Sequence, residues 1–155
     1  HKKICSSSTT ITCGTERSDR WLDYSITITA SQGDLTLGDT KEGTMGIRSH
    51  PALNLKGKVA KGSAINSEGE ANAALWGRPA KWVDYTAPVG GETIGIACFD
   101  HPSNLRHPTT WHARDYGLIA ANPFGLHDFD KKKNAKGSGD NWCDRKDCDQ
   151  GDADK

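Results

Sequence analysis

Residues Trp21 to Ala30, WLDYSITITA, alternate apolar and polar side chains with period two. Neighbouring side chains on an extended chain point to opposite faces, so the run specifies a strand with one apolar face. Ser6 to Thr12, with its threonines and Ile11, reads as another strand. The Gln32-Gly33-Asp34 turn predicts that Leu35-Thr36-Leu37 folds back on the 21–30 strand as an antiparallel hairpin. Lys41 to Arg48 reads as a glycine-interrupted strand, where glycine permits a bulge or close backbone approach. His50 to Gly62 reads as loop, Ser63 to Ile65 as a short strand, and Asn66 to Gly69 as a turn held by its own polar side chains. Glu70 to Leu75 is too short for a secure helix and is read as irregular. Trp76 to Tyr85 leads into a strand, Pro88 to Gly91 turns, and the apolar run Thr93 to Phe99 predicts a central strand.

The densest chemistry follows, in FDHPSNLRHPTTWHARDYGLIAANPFG, residues Phe99 to Gly125. It holds His101, His107 and His112 with Asp100, Arg106, Arg114 and Asp115 among them. Prolines at 102, 108 and 123 and glycines at 117 and 125 exclude a long helix. The stretch is expected to form a long shaped loop, with a further strand at Gly117 to Ala121. Its histidine spacing admits two or three imidazoles around a divalent metal, which gives one reading as a metal-dependent enzyme using His101, His107 and His112. The bland alternative is that His101 and His107 hydrogen-bond within the loop and hold its shape. If Trp111 to Arg114 is extended, His112 and Arg114 share a face. An imidazole beside a guanidinium suits a carboxylate, a phosphate or a sugar hydroxyl. A carboxylate such as Glu42 or Glu68 brought near His112 completes an acid/base pair. The competing reading of these groups is solvated turns and a surface ion pair of Arg114 with Asp115 or Asp100. Trp76, Trp82, Trp111 and Tyr85 offer sugar-stacking faces or, equally, core aromatics.

The 155 residues suit one domain, and 20 basic against 20 acidic side chains create no field that attracts nucleic acid. No apolar run approaches the ~20 residues that span a bilayer, so neither nucleic acid nor a membrane span is expected. The five cysteines lack a C-x-x-C pair; Cys98 reads as core, while Cys5 with Cys13 and Cys143 with Cys148 are open disulfide pairings. Asp130 to Lys155 is aspartate-rich and almost without aliphatic side chains, which reads as a polar, flexible tail. Its aspartates lack the spacing of a calcium loop. The resulting organisation is a β domain over 1–129 and a tail over 130–155.

The segments DTKEGTMGIR, INSEG, ALWGRPAKWVDYTAPVGGETIGIACFDHPSN and RHPTTWHARDYGLIAANPFGLHDF, taken together, resemble the C-terminal half of a bacterial family labelled "methane oxygenase PmoA", a domain of unknown function. The resemblance covers Trp21 to Phe129. Methane oxidation is not carried over with the label, because the chain has no membrane segment. The resemblance implies a secreted or periplasmic, mainly antiparallel β-sandwich, either whole or part of a larger mutarotase-like sandwich, tied to carbohydrate use. It implies His112, Arg114 and Glu42 as the centre of a site, with Lys41, Asn66, Glu68, Asp100 and His101 facing the ligand. No cofactor is expected, and no metal is assigned in that site. The sequence therefore points to binding or processing of a carbohydrate or small polar ligand. The alternative from another class is a structural subunit whose exposed strand edges pair in a homo-oligomer or with other chains.

Overall fold

The structure, a computed structural model, describes residues 2–38 and 40–125. The chain divides into two compact units, His1–Thr36 and a second beginning at Leu37. The tail of 130–155 and the Cys143–Cys148 pairing lie outside the described residues.

The first unit is a two-stranded antiparallel ribbon of β1 (Ser6–Glu16) and β2 (Asp19–Thr29). Pairing runs without a break from Ser6 opposite Thr29 to Glu16 opposite Asp19. The alternation at 21–30 is thus a strand, but its partner is β1 and not 35–37, which forms no strand. The reason is extent: β1 offers a full ladder rich in threonine, whereas beyond β2 only an isolated Ser31–Gly33 bridge forms. The turn itself concealed this pairing. Arg17 takes φ 55°, a left-handed conformation that hairpins usually assign to glycine or asparagine. Leu22, Tyr24, Ile26 and Ile28 line one face with Ile11 and Cys13 across from them, and all are exposed. Cys5 and Cys13 are free thiols, which rules out the disulfide between them.

The second unit contains two antiparallel sheets. One has the order β3 (Met45–Arg48), β9 (Leu118–Asn122), β8 (Thr110–Ala113), β5 (Arg78–Pro79). The other has the order β4 (Ser63–Asn66), β6 (Trp82–Val89), β7 (Glu92–Phe99). Two short 3-10 turns, Pro51–Leu53 and Asn72–Leu75, complete the described regular structure. The protein is therefore mainly β and antiparallel, and its two sheets share one core in the manner of a sandwich. Val83, Tyr85, Ala87 and Cys98 enter that core from one sheet, Trp111, Ala113 and Ile119 from the other, and Leu53 and Leu75 from the 3-10 turns. The Trp111 indole donates to the Ala80 carbonyl at 2.8 Å, so its polar edge is satisfied inside. Burial pushes the Tyr85 hydroxyl well above the usual phenol range while it donates to the Arg114 carbonyl at 3.3 Å.

Three local expectations change. Only Met45–Arg48 of the 41–48 segment is strand; the preceding residues form a strap over the sheet. β7 is an end strand, not a central one: Cys98 is buried, but Ile94 is 38% exposed and Phe99 75% exposed. The 99–125 stretch is not one long loop, because it contains β8 as well as β9. The sequence cue to β8 was faint. Its four residues, TWHA, are buried on both faces, so they carry no simple apolar and polar alternation.

Candidate functional site

In β8, Trp111 and Ala113 point into the core, which places His112 on the opposite face of the sheet. Register extends that face. His112 lies opposite Ala120 of β9, and Ala120 lies opposite Gly46 of β3. The next row pairs Leu118 with Arg48, near the turn that carries Arg114 and Tyr116.

The strap preceding β3 covers this face. Thr40 donates its N–H to the Phe124 carbonyl at 3.1 Å and accepts the Asn122 side-chain amide at 2.6 Å. Thr44 donates to the Ala121 carbonyl at 2.9 Å. Between these anchors Gly43, at φ +83°, crosses β9 so closely that a Cβ there would lie 2.9 Å from the Ala121 carbonyl oxygen and 3.0 Å from the Ala120 methyl. Glycine is required at that position for both reasons.

His112 is only 3% exposed, and the Trp76 ring meets it edge-on at 6.4 Å. Desolvation is the main influence on the ring and lowers its pKa from the usual histidine value. A hydrogen bond with the Lys41 backbone opposes this, Arg114 and the Lys41 ammonium add to the lowering, and Glu42 raises it. His112 is thus biased towards the neutral imidazole, which has one nitrogen that donates and one that accepts. Three of the sequence candidates, Lys41, Glu42 and Arg114, thus act on a fourth, His112.

The other four occupy turns of their own. Asn66, buried at the end of β4, accepts the N–H groups of Glu68 and Glu70 at 3.0 Å and donates to the Glu70 carboxylate at 2.8 Å. Glu68 is exposed and accepts from Ser67 at 2.8 Å. Asp100 accepts from the Asn104 amide, from His107 Nδ1 and from the Thr109 N–H, each at 2.8 Å, which fixes the loop leading into β8. His101 is exposed, and its Nδ1 pairs with the Ser103 hydroxyl at 2.7 Å. The three histidines therefore have separate surroundings. Among the described residues, no group of three or more His, Cys, Asp or Glu side chains is arranged to hold a metal ion.

The aromatic candidates divide in the same way. Trp111 and Tyr85 are core, Trp82 is half-buried on β6, and Trp76 borders His112. Two residues absent from the sequence candidates, Arg48 and Tyr116, belong to this face. Arg48 lies with its Cζ 5.0 Å from the Tyr116 ring centroid, and Arg114 places its Cζ 5.3 Å from the same ring. Finding Arg48 requires the β3–β9 register, which no local pattern supplies. A separate apolar depression on the ribbon, bordered by Cys13, Gly14, Trp21 and Leu22, has none of this chemistry.

The model of DUF6807, a family of unknown function, matches residues 1–143. The chain belongs to that family. This corrects the PmoA label suggested by the resemblance: the matching family is DUF6807, and the match reaches beyond Trp21 to Phe129 at both ends. No curated protein and no solved structure matches this DUF6807 member. Among its described residues, no helix is long and apolar enough to cross a membrane.

Proposed function

We propose that the strap-covered face around His112 is a carbohydrate-binding or carbohydrate-processing site. The observation that carries this reading is the 3%-exposed imidazole, biased to its neutral form and flanked by Lys41, Glu42 and Arg114. The Lys41 backbone engages one ring nitrogen, so the neutral imidazole meets a sugar hydroxyl through a single nitrogen. Arg114 and Lys41 supply donors, Glu42 supplies an acceptor or a proton-transfer partner, and Tyr116 offers a ring face for stacking. His112, Arg114 and Glu42 form the reactive centre, and Lys41 holds the ring through its backbone.

A glycan and keto-sugar binding screen tests the site with wild type, His112→Ala and Arg114→Ala. Binding by the wild type that both substitutions weaken is the expected result. Equal binding by all three proteins removes the site.

One observation favours a second reading, that of an assembly subunit. Among the described residues β7 pairs only with β6 and ends in Phe99, which is 75% exposed. Light scattering that shows an obligate multimer, with sugar binding absent in every state, decides for that reading.

A further inference from the structure

We propose that the sugar bound at the His112 face carries an anionic group, and that Arg48 and Arg114 read that group together. The proposal rests on the carbohydrate reading of this face and specifies its substrate class: a sugar acid or a sugar phosphate.

Two independent facts bring the arginines together. Strand register sets Arg48 opposite Leu118, on the face shared by Gly46, Ala120 and His112. The side-chain geometry then places both guanidinium carbons against one ring, 5.0 and 5.3 Å from the Tyr116 centroid. Both guanidinium groups thus border the same half-exposed ring, so an oxyanion seated beside Tyr116 lies within reach of either side chain.

The treatment of the other arginines supplies the contrast. Arg78 is paired with Glu70 at 3.2 Å, and Arg106 donates to the Pro123 carbonyl at 3.3 Å while lying over Phe124. Among the described residues, Arg48 and Arg114 form no ion pair and their guanidinium groups make no hydrogen bond. Each guanidinium is attracted to the electron-rich π system of Tyr116. Lys41 adds a third cation near His112, and Glu42 opposes it. Guanidinium donors lie in a planar fork that fits the paired oxygens of a carboxylate or phosphate, and this geometry leaves both forks available. His112 and Glu42 remain for the hydroxyls.

Calorimetric titration of glucose, glucuronate and glucose 6-phosphate into wild type, Arg48→Gln and Arg48→Lys tests this. Arg48 is exposed, so the variants should retain the wild-type circular dichroism spectrum and unfolding midpoint. The expected result is that one of the anionic sugars binds at least about tenfold more tightly than glucose, a difference of roughly one decade in Kd. Arg48→Gln should abolish that preference without weakening glucose. Arg48→Lys should restore only part of it, because lysine keeps the charge and loses the fork. Preference for glucuronate identifies a carboxylate, and preference for glucose 6-phosphate identifies a phosphate. If glucose binds as well as both anions and Arg48→Gln alters none of them, the inference falls and the carbohydrate reading stands. If no sugar in either this set or the wider glycan screen binds, both fall together.

Discussion

Replacing Asp100 should expose how strongly the loop before β8 is held. Its side chain is 3% exposed and satisfies three donors at 2.8 Å. Asp100→Ala removes all three acceptors. Asn104 is exposed and can turn to water, so its loss costs little. Thr109 is 2% exposed, and stranding its N–H costs about 1–3 kcal/mol. The His107 bond is charge-assisted through the carboxylate and contributes about 1.5–3 kcal/mol. These contributions overlap in one network, which places the expected destabilisation near 3 kcal/mol. Asp100→Asn keeps an oxygen towards Thr109 and His107 and should lose only about 1–2 kcal/mol, mainly the charge. Urea unfolding with an unchanged m-value measures both variants. A loss below about 1 kcal/mol for Asp100→Ala, or equal losses for Ala and Asn, refutes the argument that a buried Thr109 N–H depends on this carboxylate.

Four other outcomes follow from burial and backbone geometry. Burial first, and then Asp84, push the Cys98 thiol up to about 11 from 9.0, so the folded state keeps its proton while the unfolded chain loses it. Stability should therefore fall by about 3 kcal/mol as pH rises from the unfolded to the folded value, and Cys98→Ala should flatten that decline in alkaline unfolding curves. In native protein a thiol reagent should label exposed Cys13 and spare Cys98, as mass mapping can show. For His112 the sign is opposite: its pKa is lowered, so the unfolded chain binds the proton first as pH falls below the usual histidine value. Stability should drop on acidification through that window, and the drop should be smaller in His112→Gln when unfolding is followed against pH. Gly43→Ala forces a side chain into left-handed backbone and against β9; it should destabilise by about 1–2 kcal/mol and weaken sugar binding, measured by urea unfolding and calorimetry on the same sample.

What was readable in the sequence depended on how local the cause was. Period-two alternation revealed β2, and the apolar run revealed β7 as a strand, because each pattern is contained in its own residues. The partner of β2 was concealed, since the turn relies on Arg17 adopting φ 55° where glycine would have announced it. The edge position of β7 depends on the strand order, which is a property of the whole sheet. In the site, the i and i+2 spacing of His112 and Arg114 was sufficient to pair them. Asn66 and Asp100 carried the same polar signature, yet their atoms satisfy local backbone and side-chain donors. Composition cannot separate a residue that holds a turn from one that faces a ligand. Arg48 is joined to Arg114 only through β3–β9 pairing between segments distant in the chain.

Ala120 has no chemistry of its own, yet it sets how closely the strap lies on the sheet beside His112. Its methyl carbon touches the position that a Cβ would occupy at Gly43 and, from the neighbouring strand, the equivalent position at Gly46. Three of the smallest residues thus act as a spacer between sheet and strap. A valine at 120 would widen that gap, let water reach the imidazole and move its pKa back towards the ordinary histidine value, because desolvation is the largest cause of its shift. The proton affinity of His112 would then depend on the size of an inert side chain on β9, the strand paired directly with the one that carries Arg48.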